Sequence, residues 1–358
     1  MIPVTKPFSP PIEEYQKLLE EIWERNWFTN NGPLLNQLEL ELKSFLKVPH
    51  LLYVSNGTIA LQIAIKALGI TKKIITTPFS YVATTSSIVW EGCTPVYADI
   101  DPKTLNIDPS KIEALIDKET EAILATHCFG NPCEIDEIDR IATKYNLKVI
   151  YDAAHCFGTK YKGKSVFSFG DISTTSFHAT KLYHTIEGGA VFTNNPEILR
   201  KMALMRNFGH NGPEAFEGLG INAKNSEFHA AMGLLNLNYI NNVLDNRKHL
   251  TSIYDDYLKE SGLIKPDVSE KSITNFSYYP ILFESEEILR ATKLALENRE
   301  IFPRRYFYPS LSSLSYVSGN MPISEDISKR ILCLPLYYGL TDEEIRFITR
   351  IILRTLRN

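Results

Sequence analysis

The sequence predicts an α/β fold in which a mainly parallel sheet is covered by helices on both faces. Between residues 51 and 193, short apolar runs typical of strands alternate with longer segments typical of helices. Polar or glycine-containing turns follow several of these runs, and ligands bind beyond the carboxyl ends of parallel strands. After residue 250 the regular alternation stops. We therefore expect a large domain over residues 1–249 and a smaller α+β domain over residues 250–358.

Each predicted element follows from its periodicity and its flanking turns. Two amphipathic helices, 13–27 and 35–46, precede the alternating region. The seven predicted strands are 51–54, 73–77, 95–98, 121–126, 148–151, 173–177 and 189–193. The predicted helices are 59–68, 81–90, 109–114, 133–145 and a long one from 225 to about 249. The second domain contributes a strand within 276–283 and helices at 286–299 and 341–356.

Composition indicates a globular protein and argues against several kinds of partner. Of the 358 residues, 44% are hydrophobic, and the formal net charge of −4 does not favour nucleic acid or an anionic membrane surface. No apolar run reaches the ~20 residues that cross a bilayer, and the N-terminus has no signal-peptide core, so we expect a cytoplasmic protein. The five cysteines form no Cys-x-x-Cys pair, so we expect buried free thiols and no metal site.

Two charged side chains stand where predicted strands end. Asp152 closes the apolar run 148–151, and Lys181 follows the strand at 173–177. A lysine amine can hold an aldehyde as a Schiff base and move a proton, and a buried carboxylate can keep a pyridine nitrogen protonated. The pair therefore indicates a site for pyridoxal 5′-phosphate (PLP), with Lys181 and Asp152 as its catalytic residues.

The phosphate of such a cofactor needs N–H donors and a close approach of the backbone. The turn Asn56-Gly57-Thr58 lies between a predicted strand and a predicted helix, the order in which a helix N-terminus meets a phosphate. Ser176, five residues before Lys181, is a second candidate phosphate contact. Tyr81 is a candidate to stack on the pyridine ring, and His155 is a candidate to contact the ring's 3-oxygen or to pack beside it.

Together these motifs resemble the DegT/DnrJ/EryC1/StrS sugar aminotransferases over essentially the whole chain. Besides the turn and the lysine segment, the resemblance rests on residues 78–81, 99–108, 151–155, 187–189 and 334–337. It implies the fold of fold-type I PLP enzymes, with a mainly parallel seven-stranded sheet in the large domain. It also implies PLP as the cofactor, with pyridoxamine phosphate (PMP) as an intermediate form.

The resemblance assigns roles residue by residue. It gives the covalent link to Lys181, the pyridine nitrogen to Asp152 and the ring oxygen to His155. The phosphate contacts that it implies are Gly57, Thr58 and Ser176, with Asn56 in the same turn.

One expected cofactor contact comes from a second subunit. The segment Gly220-Ile221-Asn222-Ala223-Lys224 resembles the family's Gly-x-Asn-x-Arg motif, so Asn222 is expected to reach the partner's phosphate in a homodimer with shared active sites. Lys224 stands where the family has arginine, and lysine cannot give the same forked contact. Ser312 stands where the family has histidine, so no histidine role is carried over.

Residues 2–8, 30–33 and 304–309 most resemble family members that aminate dTDP-4-keto-6-deoxyglucose with L-glutamate as the amino donor. The resemblance therefore implies these two substrates, the product dTDP-4-amino-4,6-dideoxyglucose, and a role in O-antigen or another surface glycan. The candidate substrate contacts are Asn30, Asn207, His210, Lys224, Arg304 and Tyr308. Lys6 and Arg206 are further basic candidates for the nucleotide diphosphate.

Several alternatives remain open. A C-3 aminotransferase of a dTDP-3-keto-6-deoxyhexose, or an aminotransferase of a UDP-4-keto sugar, would carry the same motifs. A non-sugar fold-type I enzyme would need an arginine placed to fork a substrate carboxylate. A PLP-binding regulator would keep the cofactor without the chemistry. A branch of the family that dehydrates sugars has histidine in place of the lysine, so Lys181 argues against dehydration.

Overall fold

A seven-stranded sheet forms the centre of the computed structural model, which describes residues 1–317 and 319–357. The strands of the described chain are β1 (Ile2–Pro3), β2 (His50–Val54), β3 (Lys73–Thr76), β4 (Thr94–Tyr97), β5 (Thr120–Thr126), β6 (Lys148–Asp152), β7 (Lys160–Tyr161), β8 (Lys164–Ser165), β9 (Ile172–Ser176), β10 (Gly189–Thr193), β11 (Ser272–Ile273), β12 (Tyr279–Leu282), β13 (Ile301–Phe302) and β14 (Ile331–Leu334). The helices are α1 (Ile12–Arg25), α2 (Pro33–Leu46), α3 (Gly57–Ala67), α4 (Val82–Trp90), α5 (Ile135–Tyr145), α6 (Pro196–Arg206), α7 (Glu227–Asn238), α8 (Ile240–Leu258), α9 (Glu286–Glu297), α10 (Pro322–Arg330) and α11 (Asp342–Leu356).

The central sheet has the order β2-β10-β9-β6-β5-β3-β4. All of its strands run parallel except β10, which is antiparallel to both of its neighbours. The prediction of an α/β fold with a mainly parallel seven-stranded sheet is therefore confirmed.

The register of the central strands brings polar side chains to one level at the carboxyl edge of the sheet. Asp152, the last residue of β6, lies opposite Thr126 of β5 on one side and Thr174 of β9 on the other. Ser176 ends β9 and lies opposite Gly189, the first residue of β10. Because β10 runs in the opposite direction, it begins at the edge where the parallel strands end.

Both faces of the sheet are covered by helices. Side chains of a strand alternate between the faces, so Tyr53 and Ile75 enter one apolar cluster while Leu52 and Ile74 enter another. The first cluster packs under α1, α2, α5 and α7, and the second packs under α3 and α6. The predicted two-sided burial of the sheet is thus present.

The residues after 250 form an apolar cluster of their own around β12, β14, α9 and α11. Helix α8 joins the two halves, because Ile240 and Val243 pack in the first cluster while Leu250 and Tyr254 pack in the third. The boundary between two domains at residue 249 stays a prediction. Among the helices of residues 1–317 and 319–357, none is long and apolar enough to cross a membrane.

The first residues of the chain return to its C-terminal half. Ile2 pairs with Ile301 in the small parallel sheet of β1 and β13. A few residues later the hydroxyl of Thr5 donates to the carbonyl oxygen of Thr180, 3.3 Å away. The N-terminal segment therefore connects β13 with the loop that carries Lys181.

The prediction of a helix at 109–114 is wrong. The chain there makes two three-residue 3₁₀ turns, Pro109–Lys111 and Glu113–Leu115. The backbone is already extended at Ile116, where ψ is 124°. Too few residues remain before β5 for a helix to propagate beyond its costly first turn.

The long helix predicted from 225 to about 249 is broken at Tyr239, where α7 ends and α8 begins. The Tyr239 hydroxyl donates to a carboxylate oxygen of Glu14, 2.6 Å away. Its ring also packs on Phe8, with the ring centroids 5.5 Å apart. Contacts with the N-terminal segment therefore hold the residue that separates α7 from α8.

Candidate active site

A cavity of about 550 Å³ lies at the carboxyl edge of the central sheet. Thr126, Asp152 and Thr174 form its floor, at the level that the strand register brings together. The opposite wall comes from the C-terminal half of the chain and consists of Tyr278, Arg304, Tyr306 and Phe307. The cavity is therefore closed by both halves, and its volume is that of a small-molecule site.

Asp152 is the buried acid of the cavity. One of its carboxylate oxygens accepts a hydrogen bond from the Thr84 hydroxyl (2.7 Å), and the other accepts from the N–H of Ala154 (3.2 Å). Burial raises the pKa of Asp152 above its usual value, while the two hydrogen bonds and the nearby Lys181 charge act in the opposite direction. Such a carboxylate favours a cationic N–H partner in the cavity.

A chain of hydroxyl groups supports Asp152 from below. The Thr84 hydroxyl lies 2.7 Å from that of Ser80, which in turn lies 3.0 Å from that of Thr126. All three side chains are buried. Because Thr84 donates to the carboxylate, the other hydroxyls can supply the hydrogen bond that Thr84 accepts, and the chain fixes the orientation of Asp152.

Lys181 lies in the loop after β9 and faces the same cavity. Its N–H donates to the carbonyl oxygen of His178 (2.8 Å), which closes a tight turn before the lysine. Desolvation lowers the pKa of Lys181 to about 8, Asp152 opposes this shift, and Arg304 adds to it. A substantial share of the amine is consequently neutral and nucleophilic slightly above neutral pH.

His155 is a buried and neutral histidine. The N–H of Phe129 donates to its Nδ1 (3.2 Å), and burial drives the pKa of His155 well below the usual value. The ring proton therefore resides on Nε2. The ring is stacked parallel to that of Phe307, with an interplanar angle of 6°.

The turn before α3 provides a helix N-terminus at the cavity. The Asn56 side chain accepts from the N–H of Ile59 (2.9 Å) and so caps the helix, while the N–H groups of Gly57 and Thr58 have no acceptor within α3. A Cβ atom on Gly57 would lie 2.8 Å from the Cβ of Ser176. Glycine thus lets the turn and the end of β9 approach each other closely.

Close packing also explains the two glycines at 188–189. A Cβ atom on Gly189 would lie 2.6 Å from the backbone carbonyl of Asn56, and one on Gly188 would lie 2.1 Å from the Thr185 hydroxyl. Only residues without a side chain allow β10 to begin against the Asn56 turn. Gly189 therefore serves the packing of this turn, and Gly188 serves the close contact with Thr185.

The structure brings most of the predicted cofactor residues together. Those that line the cavity are Asn56, Gly57, Thr58, Tyr81, Asp152, His155, Ser176 and Lys181, with Arg304 from the candidate substrate contacts. Eight other predicted residues do not line the cavity within one chain, namely Lys6, Asn30, Arg206, Asn207, His210, Asn222, Lys224 and Tyr308.

Asn222 and Lys224 contact each other on the surface instead. The Lys224 amine donates to the Asn222 side-chain oxygen, 2.8 Å away, and Asn222 is exposed. Arg206 is wrong as a diphosphate candidate, because it is buried and its guanidinium donates to Glu39 (2.6 Å) and to the carbonyl oxygen of Tyr53 (2.9 Å). A second-subunit role for Asn222 stays a prediction.

Sequence reasoning missed the hydroxyl support and most of the aromatic wall. Thr84 lies one turn into α4, three residues after Tyr81, and its helical position is the signal that could have revealed it. Tyr278 and Phe307 offered no such signal, because aromatic residues in apolar stretches most often belong to a core. Here both line the cavity, and the Tyr278 ring centroid lies 4.6 Å from that of His155.

The residues present fit PLP. The helix N-terminus with Gly57 and Ser176 suits a phosphate, and the buried carboxylate of Asp152 suits a pyridinium nitrogen. A lysine with a lowered pKa faces the same space.

Comparison with known proteins agrees with this arrangement. The model of the DegT/DnrJ/EryC1/StrS aminotransferase family matches residues 11–353. The chain is 44% identical over 353 residues to the dTDP-4-amino-4,6-dideoxy-D-glucose transaminase of Shigella dysenteriae, covering 96% of both chains. It is 39% identical to the Escherichia coli protein of that name, covering 98% of both. The solved structure of DesI in the presence of its TDP-sugar product superposes with a TM-score of 0.94 at 29% identity, covering 99% of this chain and 93% of DesI.

Proposed function

This chain belongs to the DegT/DnrJ/EryC1/StrS aminotransferase family, and on that premise we propose that it transfers the amino group of L-glutamate to dTDP-4-keto-6-deoxy-D-glucose. The products are dTDP-4-amino-4,6-dideoxy-D-glucose and 2-oxoglutarate. The observation that carries the proposal is that Lys181 and the buried Asp152 face one cavity. The choice of sugar substrate in this proposal rests on the name that the two similar relatives share. We place the reaction in the cytoplasm and its product in an O-antigen or another surface glycan.

We assign PLP to this cavity. The N–H groups of Gly57 and Thr58, with the Ser176 hydroxyl, would hold the phosphate, and Asp152 would hold the pyridine nitrogen. When bound, PLP acts as an electron sink for the carbon that loses its proton. Tyr81 and His155 line the same cavity and would contact the cofactor ring.

Lys181 is the group that moves the proton. Its amine, with a pKa lowered to about 8, takes the proton from the α-carbon of glutamate. In the second half of the reaction it delivers a proton to C4 of the sugar. The Thr84 hydroxyl and the Ala154 N–H oppose the rise in pKa that burial imposes on Asp152, and so favour its charged form. Two half-reactions at one site lead to ping-pong kinetics.

Arg304 is the cation assigned to the substrate's negative charge. It lines the cavity opposite the sheet, and its guanidinium lies 4.7 Å from the centroid of the Tyr306 ring. Among the described residues that line the cavity, Lys181 is the other strongly basic side chain. Glutamate and a sugar nucleotide both carry anionic groups, and a guanidinium can bind a carboxylate or a phosphate with two hydrogen bonds.

A homodimer completes the site in this proposal. Four apolar side chains are exposed next to Asn222, in the segment 208–221: Phe208, Phe216, Leu219 and Ile221, of which Phe216 is 71% exposed. A partner subunit that covers them would bring its Asn222 to the phosphate. The variant Phe216→Ser/Leu219→Ser should lower the mass measured by light scattering to that of one chain. If the variant remains a dimer, these side chains do not belong to the subunit interface.

The experiment that tests the function separates the two half-reactions. The PLP-loaded protein is first converted to its PMP form with L-glutamate, and the excess amino acid is removed. Three sugar nucleotides are then added separately: dTDP-4-keto-6-deoxyglucose, its 3-keto isomer and a UDP-4-keto sugar. The absorbance of the PLP form should return with the first alone.

The other outcomes reassign the substrate. Return with the 3-keto isomer alone would make the protein a C-3 aminotransferase, and return with the UDP sugar alone would change the nucleotide. A PLP form that responds to glutamate but to none of the sugars would contradict the sugar reaction while leaving the cofactor site in place.

A further inference from the structure

The last helix carries a stripe of arginines that the proposed function does not use. Arg346, Arg350, Arg354 and Arg357 follow one another at spacings of four, four and three residues, which puts them on one helical face. The acidic residues of α11 are confined to its first turn, at Asp342, Glu343 and Glu344. In a chain with a net charge of −4, the segment 346–357 contains four arginines and no acidic residue.

This stripe lines a groove of about 440 Å³ between α11 and α8. Tyr257 of α8 forms the other side, and Thr349 and Leu353 lie at the base. The Nε–H of Arg346 donates to the Tyr257 hydroxyl (2.9 Å), which orients this guanidinium and leaves its two terminal nitrogens for other acceptors. None of the residues that line the groove lines the active-site cavity.

Three nearby carboxylates are engaged elsewhere. Asp342 lies 3.3 Å from His249, and Glu344 closes the capping box of α11 with Thr341. On α8, Asp255 pairs with Lys265. Over residues 1–317 and 319–357, none of the four guanidinium groups of the stripe forms an ion pair with a carboxylate.

Like charges at four-residue spacing repel each other, so the stripe is destabilising unless an anion lies among its members. A guanidinium binds phosphate oxygens with two parallel hydrogen bonds, and the volume of the groove, about 440 Å³, is within the range of small-molecule sites. We propose that the groove between α8 and α11 is a second anion site, which binds a phosphate-bearing small molecule of the size of a nucleoside di- or triphosphate. This site is independent of the proposed transaminase reaction.

The test uses calorimetric titration of the PLP-loaded protein with inorganic tripolyphosphate. The wild-type protein should bind it, and the variant Arg346→Gln/Arg350→Gln should bind at least about tenfold more weakly, because two charge-assisted contacts are lost. The matched control is Arg140→Gln/Arg290→Gln, which removes two exposed arginines that are paired with carboxylates. This control should leave the affinity unchanged, and both variants should keep the wild-type transaminase rate.

Three results would overturn the proposal. They are the absence of binding heat with the wild-type protein, an unchanged isotherm with Arg346→Gln/Arg350→Gln, and equal weakening by the control variant. If the double variant does not fold by circular dichroism, Arg350→Gln alone replaces it, because Arg346 also bonds Tyr257. Sedimentation with phosphatidylglycerol vesicles is measured in parallel. Vesicle binding without tripolyphosphate binding would assign the groove to a membrane surface and would also overturn the proposal.

Discussion

The two walls of the active-site cavity are built in different ways. The sheet wall consists of side chains at the ends of neighbouring strands, where the register holds Thr126, Asp152 and Thr174 at one level. The opposite wall consists of residues from the C-terminal half, whose aromatic rings pack on one another, as Tyr278 does on Tyr306. In a family that uses one chemistry on many sugars, strand ends suit the common step and loops suit the variable substrate.

The largest effect is expected on the sheet wall, at Lys181. Lys181→Ala should lower multiple-turnover kcat by at least about 10⁴-fold, because no other described amine in the cavity wall can hold the cofactor and move the proton. The control is Lys164→Ala, which removes an exposed lysine on β8. Steady turnover by Lys181→Ala would contradict the assignment.

Asp152→Asn should cost roughly 10³-fold in kcat, since the amide removes the charge that keeps the pyridine nitrogen protonated. Asp171→Asn is a matched control, because Asp171 accepts hydrogen bonds from Val149 and Lys148 at the other end of β6. Equal losses in the two variants, measured at saturating substrate, would reduce Asp152 to a structural residue.

Substitutions in the opposite wall should change KM rather than kcat. Arg304→Gln should raise the KM for glutamate or for the sugar nucleotide by roughly 10- to 100-fold with little change in kcat, because a charge-assisted contact is lost. Arg304→Lys should recover only part of the affinity, since a lysine amine cannot bind both oxygens of a carboxylate in the bidentate geometry of arginine. If Arg304→Gln lowers kcat alone, the division of roles between the two walls fails.

The pH dependence of PLP binding by the apoprotein tests the pKa of Lys181 without requiring catalytic turnover. With a pKa of about 8, the neutral fraction of Lys181 rises with pH until the solution passes that value and then levels off. The rate at which the apoprotein gains PLP absorbance should therefore increase about tenfold per pH unit below the pKa and reach a plateau above it. A rate that keeps rising towards the usual pKa of lysine would show that burial has not shifted Lys181.

The smallest effect is expected at Thr84. Thr84→Val keeps the shape and removes the hydrogen bond to Asp152, so kcat should fall by about tenfold. Thr85→Val is the neighbouring control, because its hydroxyl contacts Tyr97 rather than the carboxylate. Indistinguishable rates for the two variants would remove Thr84 from the support of Asp152.

The sheet wall was also the part that sequence could predict. Buried parallel strands are continuous apolar runs, and a charged residue at the end of one, such as Asp152, or in the loop that follows, such as Lys181, is unusual enough to indicate chemistry. The signal from Thr84 was weaker, because it consists only of a position three residues after Tyr81 and a threonine inside a helix is ordinary.

What escaped prediction depends on contacts between distant parts of the chain. Tyr278 and Phe307 could not be told from core aromatics without the packing that turns them towards His155. The break at Tyr239 depends on Glu14, 225 residues earlier in the sequence. Hydrophobic periodicity depends only on residues that are close in sequence. It therefore predicted one continuous helix through Tyr239.

The return of the N-terminus to the C-terminal half has a consequence for biosynthesis. Ile2 can find its partner only after Ile301 has left the ribosome, and the same segment holds the backbone beside Lys181 through Thr5. The pairing of β1 with β13 therefore forms only after most of the chain has been translated. An affinity tag fused to Met1 would lie next to Glu300, within 3.6 Å of the amino group that it replaces, so purification tags belong at the other end of the chain.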